Sequence, residues 1–218
     1  MLRQQRPEIL DAADVPDHLA RRAYRDLARI HWWLGDTASI LREIRRDRLP
    51  VRRILDVGCG TGAVLKYIRG KLDVEVLGVD LNPRPGSVSI LKADAVRDRL
   101  PCVDVAYSMH LGHHLSEPDL IALIRNVGRF SRRFLILDLV RHPLPLALFR
   151  LFVAPLVCRI VVVDGQTSIR RSYTPAELHR LTSEALRGSA GTFRQSVAPV
   201  YARQLIDISY APLARGAI

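Results

Sequence analysis

The chain has 218 residues, 48% of them hydrophobic and 25% charged, with 33 Lys+Arg against 22 Asp+Glu and a formal net charge of +11. That length and apolar content support one sizeable core with a small appendage and exclude a disordered or fibrous chain. The basic balance admits an anionic partner such as nucleic acid or a phospholipid surface. Only Lys66, Lys71 and Lys92 are lysines, and the arginines fall in scattered pairs such as Arg21/Arg22, Arg45/Arg46, Arg132/Arg133 and Arg170/Arg171. A compositional bias accounts for such pairs as well as a binding surface does.

Three cysteines, Cys59, Cys102 and Cys158, stand far apart with no C-x-x-C pair, so zinc-finger and dithiol redox chemistry are not indicated. The polar start "MLRQQRPEIL" has no secretory apolar segment, and the expected location is the cytoplasm. In chain order, "DHLARRAYRDLARIHWWLGD" spaces Leu19, Tyr24, Leu27, Ile30 and Leu34 as one amphipathic helix ending near Gly35, with Trp32 and Trp33 expected to pack in the core or cap. Asp36 or Thr37 is expected to cap a second helix, "TASILREIRRDRL", closed by Pro50. From residue 53 short apolar runs alternate with helices. Strands are predicted at 53–57, 74–79, 88–92, 103–108 and 133–138, and helices at 61–70 and 117–128. A further helix starts at "TPAEL", followed by closing strands at about 192–199 and 201–208. This alternation predicts a mainly parallel sheet covered on both faces. The stretch 143–163 is apolar but interrupted by prolines, Arg150 and Arg159, so it reads as a buried or lid segment rather than a membrane span. Its apolar surface would suit a dimer contact or a peripheral membrane contact.

The first strand ends in "ILDVGCGTGAVLKYI". Gly58, Gly60 and Gly62 at this strand-to-helix turn permit a tight bend and a close approach of ligand to backbone amides. "GCGTGA" also fits the dinucleotide fingerprint, with Asp80 near the spacing of a ribose-binding acid. Two further acids argue for a different ligand. Asp56 points a carboxylate into the turn, where a pyrophosphate would be repelled, and Asp94 follows the third strand. Three acids around one nucleoside site suit a cationic ligand without phosphate.

"ILDVGCGTG", "LGVDLNP", "KADA" and "VDVAYSMHLGHHL", in that order and spacing, resemble the class I methyltransferases that use S-adenosylmethionine. The layout is similar to that of quinone-methylating, small-molecule members. The resemblance implies a Rossmann-like α/β fold with a seven-strand, mostly parallel sheet. It implies an N-terminal helical cap over residues 1–50, a donor-binding domain over 51–218, and a lid insertion at about 141–172. It further implies that Asp56, Gly58, Cys59, Gly60 and Gly62 hold the methionine part of the donor. Asp80 with Leu81 would take the ribose, Asp94 and Ala95 the adenine, and Ser108 would line the sulfonium side. The acceptor would be a small apolar or aromatic molecule, phenolic or quinol-like, methylated on O or C by a monomer or homodimer.

One departure is the connection between Asp80 and Asp94, "LNPRPGSVSILKA", too short for the usual helix and interrupted by Pro83, Pro85 and Gly86. A short connection also occurs in RNA-ribose methyltransferases, which keeps an RNA acceptor as the rival reading. Those enzymes follow the fourth strand with an aspartate and use lysines, whereas Ser108-Met109-His110 stands here and no lysine follows residue 92. The glycine turn is also compatible with an NAD-dependent oxidoreductase or with a non-catalytic donor-binding protein. For the chemistry, a hydroxyl acceptor must lose a proton, and His113 and His110 are the candidate bases. Three clustered histidines, His110, His113 and His114, have only Glu117 nearby in sequence, so no metal is expected. Leu144, Leu146, Phe149, Phe152 and Val153 would form an apolar acceptor wall, and Arg141, His142, Arg170, Arg171 and Tyr173 read as solvated surface.

Overall fold

The computed structural model describes residues 1–12, 15–83 and 88–211. Seven strands form one sheet: β1 (Arg53–Val57), β2 (Glu75–Asp80), β3 (Ile90–Lys92), β4 (Val103–Met109), β5 (Ser131–Leu139), β6 (Thr192–Val197) and β7 (Arg203–Ser209). Their spatial order is β3-β2-β1-β4-β5-β7-β6. The first five are parallel, and β7 enters antiparallel between β5 and β6. Strand order reverses beside β1 and β4, which makes the crevice beyond their carboxyl ends the expected ligand site of such a sheet.

The central strands "RILDV" and "VDVAYSM" are mostly apolar and buried on both faces, because helices cover the sheet on each side. On one face α4 (Glu117–Val127) and α7 (Pro175–Leu186) set Leu120, Leu123, Leu178 and Leu181 against Val57, Val79 and Phe134. On the other, α2 (Asp36–Arg45) and α3 (Ala63–Arg69) set Ile40, Ile44, Leu65 and Ile68 against Ile54, Val105 and Leu135. α4 is capped by Ser116, whose hydroxyl accepts from the Asp119 amide, and α7 by a reciprocal Thr174–Glu177 box.

Above this sandwich a third cluster joins α1 (Asp17–Trp33) to α6 (Arg159–Arg171) through Ala23, Ile30 and Val161. The sequence pattern does not predict α6. Its β-branched run Val161–Val163 and Gly165 disfavour a helix locally, and packing overrides that preference. Gly165 is required because a Cβ there would stand 2.4 Å from the Phe149 ring. Phe149 follows α5 (Pro143–Leu148) in an irregular π-helical turn, Phe149–Val153.

Several expectations need correction. Trp32 and Trp33 are 71% and 54% exposed rather than packed, because the buried face of α1 is Ala20, Ala23, Asp26 and Ile30. Gly35, in a left-handed conformation, is the N-cap of α2, and the Asp36 side chain turns inward instead of capping. Arg141, Arg171 and Tyr173 are buried, not solvated. Arginines also serve as internal cross-braces: Arg133 pairs with Asp207 at 2.8 Å and with Asp47 at 3.2 Å, tying β5 to β7 and to the chain after α2. Pro85 and Gly86, read against a helix between β2 and β3, lie outside the described residues. Among the described residues no helix is long and apolar enough to cross a membrane.

Candidate active site

The turn after β1 is held open by backbone geometry that glycine permits. Gly58, Gly60 and Gly62 have φ of 79°, 55° and 71°, all in the left-handed region. The Gly58 amide donates to the Val79 carbonyl at 2.8 Å, and the Gly60 amide donates to Asp80 Oδ2 at 2.8 Å. Asp80 Oδ1 accepts from the Asn82 amide, so this acid braces the turn from the neighbouring strand. A Cβ added to Gly60 would meet no atom within 4 Å, which leaves open space on the outer side of the turn.

Beneath the turn, Asp56 is buried and accepts a hydrogen bond from the Tyr107 hydroxyl at 2.8 Å. Burial pushes its carboxyl up to about 7; the Asp80 charge adds to that rise and the Tyr107 bond opposes it. Cys59 is half-buried and its thiol is pushed up to about 12 by burial and by Asp56 and Asp80, so it is a neutral thiol and no nucleophile. Leu81 is exposed at the end of β2. Asp94 Oδ1 accepts from the Val96 amide, and the Ala95 carbonyl accepts from Asn126 Nδ2, which fixes this loop beside the crevice. Ser108 is buried with its Oγ unpartnered.

Two residues further on, His110 is a non-glycine residue at φ 59°. Its Nε2 lies 3.1 Å from Asp36 Oδ2, and its Nδ1 is buried without a partner. Asp36 also takes His31 Nδ1 at 3.1 Å and the Arg203 guanidinium. Burial alone would raise the Asp36 pKa; the bonds from His110 and His31 and the charge of Arg203 outweigh it and hold the carboxyl well below its usual range. The His31 ring stacks on His110 with centroids 4.5 Å apart, and burial together with the His110 charge lowers the His31 pKa.

His113 occupies a different environment. Its Nδ1 is 2.7 Å from Asp138 Oδ1 and its Nε2 faces Glu8 Oε1 at 3.4 Å, so neither nitrogen is free. Burial would lower its pKa, but Asp138 and Glu8 outweigh that and push it up to about 9. His110, His113 and His114 line one cavity of about 280 Å³ together with Leu27, Ile30, Phe149, Val161 and Ile169. Of the expected apolar wall only Phe149 lines it: Leu144 and Phe152 are exposed, Leu146 is buried, and Val153 packs on the α1–α6 cluster. Residues that sequence reasoning missed complete it, namely Glu8, Asp11, His31, Asp36, Asp164 and Ser168. Glu117, the one acid expected beside the histidines, pairs with Arg180 instead.

The family model described as a methyltransferase domain matches residues 19–143, more than half of the chain, and the chain belongs to that family. It is a class I S-adenosylmethionine-dependent methyltransferase. The family uses the methyl donor rather than a dinucleotide. Solved structures share the fold of this methyltransferase. The plantazolicin methyltransferase BpumL in complex with SAH aligns with a TM-score of 0.65 and 13% identity, over 89% of this chain and 91% of that one. The S-adenosylmethionine-dependent methyltransferase SibL in its apo form gives 0.65 and 20%, over 92% and 61%. The small RNA methyltransferase HEN1 gives 0.61 and 14%, over 82% and 25%.

Proposed function

We propose that this methyltransferase acts in the cytoplasm on O or C of a small apolar or aromatic acceptor, phenolic or quinol-like, held in the cavity under α1 and α6. The observation that carries the reading is the pair of buried polar atoms left without a partner among the described residues, Ser108 Oγ and His110 Nδ1. They stand two residues apart at the end of β4, one beside the glycine turn's crevice and the other in the wall of the cavity. Buried polar atoms are rarely left unsatisfied, and a bound ligand or an ordered water completes such groups.

The donor supplies an electrophilic methyl group on a positively charged sulfur. The residues present fit it: Asp56 offers a buried carboxylate to a cationic amino group, and the turn Gly58-Cys59-Gly60 with Gly62 offers open space and backbone. Asp80 with Leu81 meets the ribose, Asp94 and the Ala95 amide meet the adenine, and Ser108 faces the sulfonium side. Transfer is an in-line displacement, so holding the reacting atoms together supplies much of the rate. His110 is the base in this reading. Asp36 fixes its Nε2–H and leaves the Nδ1 lone pair for the acceptor proton. His110 is preferred over His113 in this reading, because Asp138 and Glu8 engage both nitrogens of His113.

The test is a methylation screen of phenols, quinols and structured RNA with radiolabelled donor, run on the wild type and His110→Ala. A phenolic product whose kcat falls about 10²- to 10⁴-fold in the variant, with donor affinity unchanged, is the expected result. Methylation of RNA alone, with binding that falls steeply as salt rises, would replace the small-molecule reading.

A further inference from the structure

The three histidines after β4 divide between two carboxylate clusters. In the first, Asp36 receives His31 and His110, but the Arg203 guanidinium already neutralises it. The second has a different geometry. Glu8 Oε1 lies 3.4 Å from His113 Nε2 and 3.8 Å from His114 Nε2, and all three ligand atoms fall within 4.8 Å of one another. Metal–ligand bonds of about 2.0–2.2 Å set tetrahedral edges of about 3.4 Å. Glu8 to His113 matches that edge, and Glu8 to His114 is 0.4 Å longer.

Each imidazole is also supported from behind. His113 Nδ1 is held by Asp138 at 2.7 Å, and His114 Nδ1 faces Asp11 at 3.5 Å. A carboxylate on the far nitrogen of a ligating histidine fixes the tautomer, aims the other nitrogen and raises its basicity. Asp138 is itself anchored by the amides of His113 and Leu139. Ser168 Oγ donates to Glu8 Oε1 at 2.7 Å and orients that carboxylate, while the Arg171 guanidinium stands 3.8 Å from Glu8 and 3.3 Å from Asp11. Three carboxylates, Glu8, Asp11 and Asp138, therefore surround two imidazoles and one guanidinium, a balance that accommodates a further positive charge.

We propose that Glu8, His113 and His114 form a binding site for a divalent transition ion of the zinc class. Two imidazoles and one carboxylate are a ligand set that such ions accept while keeping a position open. All three residues line the cavity, so the open position faces the space assigned to the acceptor. If that assignment, which rests on the proposed function, is correct, an acceptor oxygen bound there would lose its proton more readily.

The experiment uses untagged full-length protein, stripped with a chelator and titrated with Co²⁺ by visible absorption, then with Zn²⁺ in competition. Glu8→Gln, His114→Gln and Asp11→Asn are run in parallel, with melting temperature and donor affinity as controls. The expected result is one ion per chain, displaced by Zn²⁺, with affinity reduced by at least tenfold in Glu8→Gln and His114→Gln and by about 10- to 100-fold in Asp11→Asn. Absence of stoichiometric uptake by the wild type overturns the proposal. So does unchanged affinity in Asp11→Asn, whose partly exposed carboxylate can be altered without unfolding the chain. Failure of the acceptor reading shows up separately, as metal uptake without methylation of any phenol or quinol.

Discussion

The proposed donor side and the proposed acceptor side of the site are built by different means. On the donor side, β1, the glycine turn and Asp80 are joined by backbone hydrogen bonds across adjacent parallel strands, such as Gly58 to Val79 and Gly60 to Asp80. On the acceptor side, side chains from the N-terminal segment, α1, α2, the turn after β4 and α6 meet through ion pairs and side-chain hydrogen bonds, as Glu8 meets His113 and, across 160 residues, Ser168. Sheet geometry fixes the first, whereas helices that pack above the sheet and are stitched by ion pairs form the second. The donor pocket should therefore tolerate disruption of the cap, and the cap should fail without taking the donor pocket with it.

The strongest way to break that comparison is Asp36→Ala. It leaves Arg203, His31 and His110 without their shared carboxylate. Losing one member of a buried pair costs about 3–5 kcal/mol, and the partial exposure of Arg203 favours the lower end. Chemical denaturation should show a loss of about 3 kcal/mol, while donor affinity by calorimetry stays within about twofold under native conditions. An equal fall in donor affinity would mean that the two regions are one unit.

Asp80→Ala tests the opposite side. Removing a carboxylate that accepts charge-assisted hydrogen bonds costs about 1.5–3 kcal/mol, and the turn also loses its Gly60 brace. Titration with S-adenosylmethionine and S-adenosylhomocysteine should show affinity about 100-fold weaker for both, and the lost brace should lower the melting temperature by roughly 2–4 °C per kcal/mol. Retained affinity would take Asp80 out of the donor site.

The smallest effect is a pH dependence. Asp56 stands at about 7 in the free protein, and a cationic amino group favours its ionised form. Donor affinity should rise about tenfold between pH 6 and 8, with proton release on binding near neutrality. Asp56→Asn should flatten the profile at the weaker level. The sign for stability is opposite: the contribution of a buried acid with a raised pKa is greatest below its unfolded value near 4 and is lost as pH rises through about 7. A pH-independent affinity in the wild type would place the amino group elsewhere.

The contrast also explains what is legible in the sequence. The strands around Asp56, Asp80 and Ser108, and the glycine turn, are readable because short apolar runs and glycine spacing encode them within a few residues. Helix α6 is hidden by the valine run 161–163 and Gly165, whose helical form depends on contact with α1 and Phe149. The acids beside the histidines are hidden for another reason. Nothing local in "PEILDAAD" distinguishes Glu8 and Asp11 from a solvated terminus, and only the packing of the first residues against α6 brings them to His113 and His114. Asp138 has a better signal, as an acid inside an otherwise apolar strand, "FLILDL". A charged residue in such a run needs a buried partner.

His110 has a consequence for how this chain divides its resources between stability and turnover. An L-residue held at φ 59° costs about 1 kcal/mol that glycine would not. Glycine at 110 would relieve that strain but would also remove the imidazole's bond to Asp36 and its stack on His31. The strained turn is therefore kept with the imidazole that it presents, and substitutions meant to stabilise this chain belong away from the end of β4.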